Sequence, residues 1–286
     1  LSVEGGFQSA LEEMLWFDRH IEDKSQYYLK GNKVLDIDRA RADGKIAIFY
    51  ITQNSDHFMR DLDNVDVFYG VGQRSCQLTY NYQNYAGSGC METHGSGVTD
   101  FGGRLIEKLN DIGMMIDLSH ANVQTTLDAT DISSRPIHIS HTTCADVHEN
   151  PRAMPDIALR AVAEKGGVIG MTQIRTFMTM SRYGMVDLYF DHIMHAVNVA
   201  GIDHVCIGSD RDHRRLVVTP EYLEEMQREQ GQRFDIRRVP LYFEELNSPR
   251  RMEVIWDKLI KRGLSEDTVE KITGLNIYNY YKEILG

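Results

Sequence analysis

Two pentads in this chain close on histidine, IDLSH at residues 116–120 and IHISH at 137–141. Both read aliphatic, any residue, aliphatic, serine, histidine. A single histidine at the end of an apolar strand is ordinarily packing. Two at matched positions in successive, similarly patterned strands point to a shared site. Neutral imidazole suits zinc and related ions, and an ion needs ligands presented at one level by neighbouring strands. His120 and His141 satisfy that demand. A third apolar run ends in GSD, residues 208–210, which places the Asp210 carboxylate at another strand end. There it can accept a proton from a metal-activated water.

The remaining candidate residues divide between the same rim and ordinary structural roles. Gln53, Tyr80 with Asn81, and Thr172 close further apolar runs and add amides, a phenol and a hydroxyl to the same rim. His138 lies mid-strand on the face opposite His141 and reads as a hydrogen-bonded core residue. His192 and His195 fall in a helical pattern and His204 precedes a strand, so none is given a catalytic role. His57, His94, His148 and His213 fall in loops, where exposure is expected. Cys144 follows His141 closely, but no base is paired with it in the sequence.

The elements that must position these residues alternate in type. Apolar runs at 45–52, 73–80, 114–119, 135–140, 166–172 and 203–209 read as strands. Amphipathic segments separate them, with Thr99 placed to cap one and Gly113, Gly166-Gly167 and Gly201 placed to end others. Strands apolar almost throughout, each joined to the next by a helix, belong to a parallel sheet covered on both faces. No G-x-G-x-x-G follows an early strand, which argues against a dinucleotide fold. The expected architecture is α/β, a (β/α)₈ TIM-type barrel, with its active site at the C-terminal strand ends. LSV at residues 1–3 reads as the tail of a seventh strand, so the first βα unit is expected upstream of Leu1. Residues 1–286 are expected to form one barrel domain, with a polar excursion over the mouth at 211–250 and two closing helices after it.

Composition excludes other classes. With 42% hydrophobic and 26% charged residues, the 286-residue chain can bury a sizeable core. A net charge of −11 offers no basic patch for nucleic acid. No apolar run approaches the ~20 residues of a transmembrane helix. Four cysteines without C-x-x-C spacing do not form a disulfide framework. They favour a reducing, cytoplasmic setting, with a secreted or periplasmic one left open. A homo-oligomer is also left open.

The motifs GVTDFGGRLIEKLNDIGMMIDLSH, RPIHISH, NPRAMPD, EKGGVIG and AGIDHVCIGSD, in that order, resemble the membrane (renal-type) dipeptidases, peptidase family M19 of the amidohydrolase superfamily. The resemblance runs from about residue 45 to the C-terminus and is weakest over 211–250. It is strongest to the bacterial branch with QN after the third strand and LTYN at the fourth. It implies a distorted (β/α)₈ barrel with a binuclear zinc site in which His120 and His141 hold one zinc. The family's bridging glutamate matches Gln53 in YITQNS, and its remaining His-x-Asp ligand pair belongs to the first strand. The family's substrate-binding arginine matches Arg152, with RA in place of RN, and its fourth-strand histidine is replaced by Tyr80. Asp210 matches the catalytic aspartate, although DRDH replaces DFDG.

A neutral amide is a poorer bridge between two cations than a carboxylate, so one zinc is expected, held by His120 and His141 with help from Gln53. The implied reaction is metal-dependent hydrolysis of a dipeptide or small carboxylated amide. Asp210 would act as general base and acid, Arg152 would hold the carboxylate, and Tyr80 would line the substrate site. Two rivals stand beside this reading: non-peptidase chemistry on a small carboxylated substrate in the same fold, and a catalytically inactive binding protein.

Overall fold

The computed structural model describes residues 6–181, 183, 185–211, 218–230 and 239–286. Among the described residues there are nine strands: β1 (Tyr28–Lys30), β2 (Ile46–Ile48), β3 (Tyr50–Thr52), β4 (Gln73–Gln77), β5 (Met115–Asp117), β6 (His138–Cys144), β7 (Ala153–Met154), β8 (Val168–Met171) and β9 (Val205–Ile207). The principal sheet runs β3-β4-β5-β6-β8-β9, with every neighbour parallel and β7 paired to β6 off this path. Strands in chain order, joined by helices, give the (β/α)₈-barrel architecture. The strand expected at residues 1–3 lies outside the described residues.

The helices are α1 (Phe7–Asp23), α2 (Leu35–Ala42), α3 (Asp63–Gly70), α4 (Asp100–Ile112), α5 (Val123–Ile132), α6 (Asp156–Glu164), α7 (Asp187–Ala200), α8 (Pro220–Gln230), α9 (Arg251–Lys261), α10 (Glu266–Glu270) and α11 (Asn276–Leu285). Their ends follow local chemistry. The Thr99 hydroxyl accepts from the Gly102 amide at 3.0 Å and starts α4. Gly113, at φ 78°, ends it in the left-handed conformation that lacks a Cβ penalty. Asn122 caps α5 through the Thr125 amide at 2.7 Å.

The run at 45–52, expected as one strand, is two. Ile46–Ile48 pairs with β1 in a separate two-stranded sheet, and only Tyr50–Thr52 joins the principal sheet. The break falls at Phe49, whose ring lies where a Cβ on Gly31 would be.

Alternation along the strands divides the core. Ile116, Ile169 and Val205 pack into the main cluster with the surrounding helices. Their neighbours Met115, Val168 and Cys206 pack instead with Tyr280, Ile284 and Leu285 of α11. Of the excursion at 211–250, the described residues include α8 and a short 3₁₀ turn at Glu244–Leu246.

Candidate metal centre

β5 and β6 meet in register at Asp117 and His138, which brings the ends of the two pentads side by side. The Nε2 atoms of His120 and His141 face one another at 3.1 Å, with ring planes at 73°. Both side chains are buried.

The ring orientations are held from behind. His120 Nδ1 lies 2.8 Å from Asn81 Oδ1, an acceptor, so the ring carries its proton on Nδ1 and a lone pair on Nε2. His141 Nδ1 lies 2.8 Å from Ser140 Oγ. The hydroxyls of Ser119 and Ser140 each approach Asp117 at 2.5 Å, one on each carboxylate oxygen. The amides of Ser119 and Ser140 donate to Asp117 Oδ1 at 3.0 and 2.9 Å. With its proton given to the carboxylate, Ser140 Oγ accepts from His141 Nδ1, and the second lone pair also faces the shared point.

Burial pushes the imidazoles of His120 and His141 below their ordinary pKa, and the nearby Arg152 guanidinium pushes them in the same direction. Burial alone would raise the Asp117 carboxyl. The surrounding imidazoles and the two donated hydroxyls outweigh it and hold the group below its ordinary value.

With both rings protonated on Nδ1, the two Nε2 lone pairs converge on one point 3.1 Å across, where a cation would relieve their repulsion. Two nitrogens bound to one tetrahedral zinc at about 2.0–2.1 Å stand about 3.3 Å apart, so the pair fits such an ion.

Asp210 Oδ1 lies 3.9 Å from His141 Nε2, on a backbone with φ of 49°. Tyr80 stacks on His120, with centroids 4.1 Å apart and planes at 27°. Arg152, in the connection between β6 and β7, is buried. Its Nη1 donates to the Ser119 carbonyl, and its guanidinium carbon lies 5.5 Å over the Phe177 ring. Its Nε and Nη2 have no protein partner among the described residues. Buried guanidinium donors without an acceptor call for an anionic ligand. Gln53 is half-buried after β3, and its side chain hydrogen-bonds to no described residue.

Gly170 and Gly208 keep the backbone beside the site close. A Cβ at either would come within 2.0 or 1.8 Å of the Ser140 carbonyl oxygen.

His57, expected in an exposed loop, is buried instead. Its Nε2 pairs with Gln73 Oε1 at 3.0 Å, and burial lowers its pKa to about 4. The short 3₁₀ turn Asp56–Phe58 folds it inward. His138 bonds the Tyr280 hydroxyl at 3.0 Å, as a core histidine should. His192 Nδ1 accepts from the Cys144 amide, His204 pairs with the Gly167 carbonyl, and His195 pairs with Asp156. Burial pushes the Cys144 thiol up to about 12, which removes it as a nucleophile. His213 lies outside the described residues.

Sequence reasoning missed Asp117 and the role of the two serines. The available signal was the serine at the fourth position of both pentads, with an aspartate two residues before the first. Among the described residues, Asp146, Asp156 and His195 form a group of three ligand-type side chains whose atoms all lie within 4.8 Å. Arg160 also pairs with Asp156 there, at 3.3 Å. His120, His141 and Asp210 do not form so tight a trio among the described residues.

Parallel strands of the principal sheet thus end on a pair of facing imidazoles, the donor set of a metal centre. The chain belongs to the membrane dipeptidase family, peptidase family M19, whose model matches residues 2–229. Membership of this metallopeptidase family implies a metal ion. The chain is 33% identical over 227 residues to dipeptidase verJ of Clonostachys rogersoniana, covering 78% of this chain and 50% of that protein. It is 27% identical over 249 residues to an uncharacterized dipeptidase of Schizosaccharomyces pombe, covering 85% and 54%. The chain thus spans about half the length of these relatives. An amidohydrolase from Pseudomonas aeruginosa superposes with a TM-score of 0.89 at 27% identity, covering 99% of this chain and 86% of that one. A Rhodobacter sphaeroides metallo peptidase solved with a phosphinate mimic of L-Ala-D-Ala shares the fold at TM-score 0.79 and 20% identity, covering 96% and 73%.

Proposed function

We propose that this protein is a metal-dependent dipeptidase that holds one zinc between His120 and His141. The observation that carries the reading is the pair of Nε2 atoms facing at 3.1 Å, with Asn81 and Ser140 fixing the proton on the far nitrogen of each ring. A zinc bound there supplies a Lewis acid for the scissile carbonyl and lowers the pKa of water to roughly 7.

The chain's own residues perform the rest. Arg152 offers its free Nε and Nη2 to the substrate carboxylate and fixes the peptide in one direction. Asp210 takes a proton from the attacking water and passes it to the leaving amine as the C–N bond breaks. The Tyr80 ring walls the site beside His120. Gln53 offers an amide oxygen where the family has a carboxylate, so a second cation is held weakly. The substrate class is a dipeptide with a free carboxylate. Four free cysteines, three of them buried, suit a reducing compartment. Among the described residues, no helix is long and apolar enough to cross a membrane.

Metal analysis of protein purified without chelator, alongside a dipeptide panel, tests the proposal. One zinc per chain and dipeptide turnover are expected. A fully folded protein that binds no zinc and cleaves no dipeptide overturns it. Gln53 motivates a second reading, hydrolysis of another small carboxylated amide. Zinc binding without dipeptide turnover, with activity appearing in Gln53→Glu, would favour that reading.

A further inference from the structure

The serines repeated in the two pentads both converge on one buried carboxylate, Asp117, which the chemistry above leaves without a role. Resting on the proposed zinc reading, we infer that Asp117, acting through Ser119 and Ser140, is the positioning residue that dictates which nitrogen of His141 faces the cation.

The number of protons available sets the direction of these bonds. Each serine hydroxyl has one. Ser119 Oγ and Ser140 Oγ both lie 2.5 Å from Asp117, closer than any other acceptor, so both protons go to the carboxylate. The two oxygens are 2.8 Å from each other, a contact in which either could donate, and the shorter approach to Asp117 favours the carboxylate as acceptor of both protons. Ser119 Oγ uses a lone pair to accept the His141 amide at 2.9 Å. Ser140 Oγ uses a lone pair to accept His141 Nδ1–H at 2.8 Å. Main chain and ring of the same histidine are therefore pinned by two hydroxyls whose direction one carboxylate sets. An outer partner that fixes a ligand's tautomer changes metal affinity by about 10–100-fold.

The isosteric change Asp117→Asn reverses this direction. Oδ1 accepts two backbone amides as well as Ser119, so the new NH₂ must take the place of Oδ2, against Ser140. It then donates to Ser140 Oγ. The serine proton is freed to point at His141 Nδ1, and the ring proton moves to Nε2, the nitrogen that should bind the cation. Ser140→Ala removes the acceptor without imposing the wrong tautomer.

The test compares wild type, Asp117→Asn, Ser140→Ala and Asn81→Ala, each checked for folding by circular dichroism. Zinc affinity is read by competition with a chromogenic chelator, and ring tautomers by long-range ¹H–¹⁵N spectra of ¹⁵N-histidine protein. Ser140→Ala is expected to weaken zinc about 10-fold and Asp117→Asn about 100-fold. Asp117→Asn should move the His141 proton from Nδ1 to Nε2, while Asn81→Ala alters His120 alone. Unchanged zinc affinity in a folded Asp117→Asn, or a His141 tautomer that does not move, overturns the inference. If wild type binds no zinc, the proposed function fails, and the tautomer spectra of the metal-free protein still decide this point.

Discussion

Replacing Arg152 by alanine separates substrate orientation from everything else the site does. The side chain is buried, its Nη1 serves the Ser119 carbonyl, and its Nε and Nη2 have no protein partner among the described residues. If those two groups grip the substrate carboxylate, two charge-assisted hydrogen bonds are lost, each worth about 1.5–3 kcal/mol. A combined loss of about 3 kcal/mol lowers kcat/KM by more than ~100-fold. The assay measures kcat/KM for a dipeptide and for the same dipeptide with its C-terminus amidated. The amide has no carboxylate to grip, so Arg152→Ala should cost it less than ~10-fold. Arg152→Lys keeps the charge but loses the planar fork and should fall between wild type and alanine on the dipeptide. Zinc content measured in parallel guards against damage passed to His120 through Ser119. Equal losses on both substrates with zinc retained, or no loss on the dipeptide, would refute the carboxylate clamp.

Other perturbations reach the site from different directions. His120→Ala and His141→Ala should each leave a folded protein that retains under a tenth of wild-type zinc after dialysis, read by metal analysis. Stability should fall with acid, because burial lowers His57 and His192 to about 4. The unfolded chain takes up these protons near pH 6.5, so between there and pH 4 it binds more protons than the native state. Each group therefore removes up to about 3 kcal/mol across that window. Urea unfolding at pH 7.5, 6 and 4.5 checks this, and a flat profile would contradict it. Gly208→Ala should destabilise by about 1–3 kcal/mol, because its methyl meets the Ser140 carbonyl. Thermal melts with and without zinc should show that variant gaining less from the metal than wild type.

What could be read from the chain is what local chemistry decides. The barrel strands and the helices between them follow from apolar runs and from caps such as Thr99 and Asn122, which act over a few residues. The two histidines were legible because the pentads repeat and a parallel barrel puts strand ends together. The Asp117 hub was not, because it joins residues 23 apart across two strands, and no periodicity encodes which hydroxyl faces which carboxylate. The split at Phe49 was hidden in an unbroken apolar run, since both halves are equally strand-like and only their partners differ. His57 misled for a related reason. Its neighbours read as a loop, and its burial depends on Gln73, Phe58 and Phe68, which pack around it.

The left-handed turn at Asp210 bears on how its role is to be probed. Side chains other than asparagine, aspartate and glycine pay roughly 1–2 kcal/mol there. An alanine at this position would thus mix a conformational penalty with a missing proton acceptor, and its lost turnover would have two explanations. Asparagine keeps the shape and removes only the basicity, whereas glycine relaxes the turn and removes both the carboxylate and the crowding. Ranked melting temperatures and turnover across these three replacements would pull apart what the turn demands from what the reaction demands.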